Sequence, residues 1–101
     1  MKTATYNKPL SESTILQLEA QRDHLINTKE DNYLLNHINK VLTTPTVSAL
    51  SEEWAVRDYL NDMVISLKEE AQNLNHSPET REDFIRDAKN MKKDLEYGSR
   101  G

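Results

Sequence analysis

Apolar residues recur along this chain at spacings of three and four, the period of one face of a helix. The clearest run is Val56, Leu60, Met63, Leu67, Ala71 and Leu74. It predicts one helix that begins at Ser48 or Ser51 and continues to about Asn75, residues 48–75. A second run, Leu34, Leu35, Ile38, Val41 and Leu42, gives a helix over 29–43, which Pro45 terminates because proline cannot donate to the preceding turn. Ahead of it, Ile15, Leu18, Leu25 and Ile26 mark a helix over 11–27, interrupted by Arg22, with Ser11 or Ser13 as its cap. Thr28 with Asp31 three residues on reads as a second capping signal, so a break is expected near Asn27–Thr28. One continuous helix from Ser11 to Leu42 is the alternative. The last helix, 78–97, opens on Ser77, Pro78 and Glu79 in the order cap, first position and dipole-favoured acid. It presents Phe84, Ala88, Met91 and Leu95 to the core, carries Glu82–Arg86 and Lys92–Glu96 as i,i+4 pairs, and meets Gly98 at its end. Residues 1–10 have no period and read as a flexible N-terminal arm. Residues 11–101 read as a single helical domain. The expected architecture is all-α, a small antiparallel bundle of three to four helices.

Composition sharpens this picture. Apolar residues make up 36% of the 101, below the roughly 45–50% of an average domain. A core that thin is often completed by a second copy, so at least a homodimer is expected. The absence of cysteine rules out disulfides, thiolate zinc sites and a cysteine nucleophile. No apolar run approaches the roughly 20 residues that span a bilayer, and the first residues lack the apolar centre of a signal peptide. The expected setting is cytoplasmic.

Charge is distributed unevenly. The net −4 resides wholly in residues 51–76, where Glu52, Glu53, Asp58, Asp62, Glu69 and Glu70 face only Arg57 and Lys68; the segments on either side are neutral. The same region scans superficially as a DNA-reading helix-turn-helix over 47–67, with a short helix at 47–53 and a longer one after it. A turn near Trp54–Arg57 would contain no Gly, Asn or Ser, and the recognition helix would offer Arg57 beside two aspartates. DNA affinity comes mainly from neutralising phosphates, which these carboxylates would repel. One unbroken helix is the better reading of the stretch.

Chemistry-bearing motifs are missing. There is no phosphate loop, dinucleotide fingerprint, HExxH, nucleophile elbow or calcium loop. His24 and His37 have no acidic or histidine partner three or four residues on, so neither begins a helical metal pair. His37 reads as a helix-flank residue and His76 as part of a turn. No cofactor and no catalysis are expected.

What remains is a surface. On a helical wheel Asp58, Asp62 and Glu69 fall close together, nearly opposite the Val56–Leu60–Met63–Leu67 stripe, with Trp54 and Ile65 at their edge. An aromatic and a β-branched side chain ringed by carboxylates resembles an interface anchor with a charged rim. The rival reading packs Trp54 and Ile65 on a neighbouring helix and leaves the acids merely solvated. The functional expectation is a non-enzymatic protein–protein interaction module: an acidic adaptor, inhibitor or chaperone-like protein that docks on a basic protein surface. The alternative is a DNA-binding regulator, through residues 47–67 or the basic residues Arg81, Arg86, Lys89, Lys92 and Lys93 of the last helix.

Overall fold

The structure, a computed structural model, describes residues 8–99. They form five helices: α1 Glu12–Thr28, α2 Asn32–Thr43, α3 Val47–Ser51, α4 Trp54–Ala71 and α5 Pro78–Ser99. The all-α class holds, with one helix more than the three to four expected. The only strand-like feature among the described residues is an isolated bridge between Pro9 and Thr46.

Capping chemistry explains most boundaries. Ser11 caps α1, its hydroxyl accepting from the Thr14 amide. The first two helices are separate, and the break falls slightly later than expected. Thr28 is the last residue of α1; Lys29 then turns left-handed at φ 58°, and its amide donates to the Leu25 carbonyl at 2.7 Å. Asp31, not Thr28, caps α2 by accepting from the Leu34 amide at 3.0 Å. Ser77 caps α5 through the Thr80 amide, and Pro78 takes the first helical position.

The continuous helix expected over 48–75 is corrected at both ends. Thr46 caps a short α3, which closes on tight bonds from Glu52 to Ala49 and from Glu53 to Leu50; Glu53 then leaves helical geometry. The cause is burial. On one straight helix the direction of Val47 and Leu50 lies about 130° from that of Val56, Leu60 and Leu67. A single helix could not turn both sets inward, whereas the break at Glu52–Glu53 lets Val47, Leu50, Val56 and Leu60 all become fully buried. At the far end α4 stops at Ala71, whose carbonyl accepts from Arg81 Nε at 2.7 Å. Leu74, expected on the core stripe, falls beyond it and is 81% exposed.

The molecule measures 45 × 35 × 17 Å, the thickness of two helix layers. The antiparallel pair α4–α5 makes the most extensive contact, with α3 and α1 against α5 and α2 against α1 and α4. Leu18, Ile38, Val41, Val47, Leu50, Val56, Leu60 and Met91 form the fully buried centre. Val64, which the expected stripe omitted, is also buried; Met63, Leu67 and Phe84 are half-buried, and Ile26 is exposed. Of the arm expected at 1–10, residues 1–7 lie outside the described residues. Its inner end is held: the Leu10 amide donates to the Pro45 carbonyl and the Val47 amide to the Lys8 carbonyl, and Leu10 is buried in the core. On α5, Arg86 pairs with Asp83 and Asp87 rather than with Glu82.

One buried carboxylate ties the two ends of the chain together. Asp94 is only 4% exposed, and its Oδ2 accepts from the Ser11 amide, the Ser11 hydroxyl and the Thr14 hydroxyl at 2.8–2.9 Å. It also lies at the N-terminus of α1, where the helix dipole favours a negative charge.

Candidate protein-binding surface

The break before α4 determines how its outer face is presented. Glu53 Oε1 pairs with Nδ1 of His37 on α2, both side chains being largely buried. The ring of Tyr33 meets His37 edge-on at 4.4 Å and lies 6.5 Å from the Trp54 ring at a 51° tilt. The His37–Glu53 pair thus fixes the start of α4 against α2 and sets Trp54 beside Tyr33. Sequence reasoning took His37 as a flank residue without an acidic partner. The partner is 16 positions away and across a turn, beyond the reach of any i+3 or i+4 rule.

All five residues singled out from the sequence lie on the exposed side of α4. Trp54 is 67% and Ile65 57% exposed, and Asp58, Asp62 and Glu69 are exposed as well. Neither apolar residue is packed away under a neighbouring helix. From Trp54 to Glu69 the stripe runs about 22 Å at 1.5 Å per residue. Asp58, Asp62 and Glu69 form no ion pair among the described residues. At its N-terminal end the stripe widens into a shallow groove of about 320 Å³ between α4 and the first turn of α2. Asp31, Tyr33 and Tyr59, which the sequence did not single out, join Trp54, Asp58 and Asp62 in lining it. Ile65 and Glu69 lie beyond the groove on the same face.

Tyr59 forms the rigid side of this groove. Its hydroxyl accepts from Gln17 Nε2 at 2.7 Å and approaches Gln21 Oε1 at 3.4 Å, linking α4 to α1. Burial pushes its phenol above the ordinary 10.0, partly offset by the Gln17 hydrogen bond. Among the described residues no three His, Asp or Glu side chains are grouped closely enough to hold a metal ion.

The helix-turn-helix outline returns in altered form. α3 and α4 are a short and a long helix, but the turn falls at Glu52–Glu53 rather than at Trp54–Arg57. Arg57 points inward, its Nη2 donating to the Leu95 carbonyl at 3.2 Å. On α5, Arg81 is engaged by Ala71 and Arg86 by Asp83 and Asp87. No helix of the described residues is long and apolar enough to cross a membrane. No protein-family model, curated protein or solved structure matches the chain.

Proposed function

We propose that the chain is a non-enzymatic interaction module, a small acidic helical adaptor, inhibitor or chaperone-like protein of the cytoplasm, whose α4 face docks on a basic surface of another protein. The observation that carries this reading is the combination of two large exposed apolar side chains, Trp54 and Ile65, with three exposed carboxylates, Asp58, Asp62 and Glu69, that form no ion pair among the described residues. Burying the apolar pair against a partner would supply most of the affinity, while the carboxylates would speed encounter and select for cationic partners. Immobilised chain incubated at low salt with extract of its native host should retain a protein with a basic surface. Raised salt should weaken that retention, because screening shortens the reach of the exposed charges. DNA binding is the second reading, favoured by the α3–turn–α4 outline alone. Nucleic acid retained in place of protein would promote it over the first.

Self-association is part of the proposal. The core closes within one chain, so the motive is not an incomplete interior but the exposed Ile26, Leu74 and Ile85 outside the α4 face. Sedimentation at micromolar concentration should show at least a dimer. A single 11.7 kDa species up to about 100 µM, where an association of 5–6 kcal/mol would be visible, contradicts it.

A further inference from the structure

The groove between α2 and α4 has a chemistry narrower than a general acidic face. Its walls are aromatic, with the Trp54 and Tyr33 rings 6.5 Å apart and both more than half exposed. Its rim is anionic, with Asp58 and Asp62 one helical turn apart on α4 and Asp31, the cap of α2, across the gap. Among the described residues no lysine or arginine lines it, and none pairs with Asp58 or Asp62. Asp31 is partly committed already, since Oδ1 accepts the Leu34 amide as a helix cap. The volume of about 320 Å³ is at the low end of the roughly 300–1,000 Å³ of small-ligand pockets, which suits one long side chain better than a whole small molecule.

We infer that this groove receives a single arginine side chain from a basic, extended segment of a partner protein. The planar guanidinium stacks on the indole face of Trp54, where the ring quadrupole attracts a cation, and its forked N–H groups donate to the carboxylates of Asp58 and Asp62. Arginine is preferred to lysine because only the guanidinium can stack and present several donors at once, and it is more weakly hydrated than an ammonium. This rests on the interaction-module reading and names the group that its N-terminal end recognises.

Trp54 is the only tryptophan of the chain, so its emission reports occupancy of the groove directly. The test is a titration of the full chain with three short peptides of one sequence, carrying Arg, Lys or the uncharged citrulline at a central position. The Arg peptide should shift the emission to the blue and bind at least tenfold more tightly than the citrulline peptide, with Lys between them. That margin corresponds to about 1.4 kcal/mol. Asp58→Asn with Asp62→Asn should remove the preference for Arg while leaving the circular dichroism spectrum and melting temperature unchanged. Equal binding of the Arg and citrulline peptides overturns the arginine assignment. So does an Arg preference that survives both Asp substitutions. Arg-peptide binding that is lost with Ile65→Ala and Glu69→Gln, but not with the Asp pair, moves recognition out of the groove and leaves the wider interaction face standing. If none of the peptides binds while the chain still retains a basic protein, the arginine assignment alone falls. If neither peptide nor protein binds, both proposals fall.

Discussion

Replacing Leu60 by alanine should lower stability by about 2–5 kcal/mol, and Ile65→Ala by less than about 1 kcal/mol, although both remove a branched aliphatic side chain from the same helix. The difference follows from burial. Leu60 is fully enclosed among the core residues, so its truncation loses transfer free energy and leaves a cavity. Ile65 is more than half exposed and has little packing to lose. Trp54→Ala should likewise cost little, mainly its contact with the Tyr33 ring. Against a total stability of roughly 5–15 kcal/mol the Leu60 change is large. Denaturant unfolding with unchanged slope measures all three. Ile65→Ala as damaging as Leu60→Ala would make Ile65 a core residue and remove an anchor from the proposed face.

Asp94→Ala should destabilise by about 3 kcal/mol or more. The substitution strips one carboxylate oxygen that accepts three donors and leaves the Ser11 amide and the Ser11 and Thr14 hydroxyls short of a partner at a site where Asp94 and Thr14 are buried and Ser11 is half-buried. Each unsatisfied buried group costs roughly 1–3 kcal/mol. The favourable charge at the N-terminus of α1 is lost as well. Asp94→Asn, which retains an acceptor without the charge, should fall between the variant and the native protein. Asp87→Ala provides the comparison, since Asp87 accepts from Ser13 at 2.8 Å but is only half-buried. Equal losses from Asp94→Ala and Asp87→Ala in thermal or denaturant unfolding would refute the role assigned to Asp94.

Much of this fold was legible in the sequence, because short-range signals dominate helices. The caps at Ser11 and Ser77, the stop before Pro45 and the buried positions Ile38, Val41, Ala88, Met91 and Leu95 follow from spacing and side-chain chemistry within a few residues. The failures share a cause as well. No local breaker marks Glu52–Glu53; the helix divides there because Val47 and Leu50 must face the core from a direction that Val56 and Leu60 cannot share. Asp94 looks like any acid of a wet helix face until Ser11, 83 positions earlier, is brought against it. His37 and Glu53, and the aromatic contact they organise, likewise depend on tertiary placement. The exposed stripe on α4 was readable for the opposite reason, since a residue facing away from a helix's apolar stripe can be identified without knowing the neighbours. Its groove was not, because Asp31 and Tyr33 come from another helix.

The most direct test of the proposed face compares retention of the captured basic protein by the native chain with retention by Trp54→Ala and Ile65→Ala chains of demonstrated native-like stability. Each substitution should weaken retention by about 2 kcal/mol or more, roughly thirtyfold, as loss of a buried interface anchor does. Leu16→Ala, which alters an exposed apolar residue on α1, should leave it unchanged. Retention that is indifferent to Trp54 and Ile65, or equally sensitive to Leu16, would contradict the assignment of α4 as the binding face.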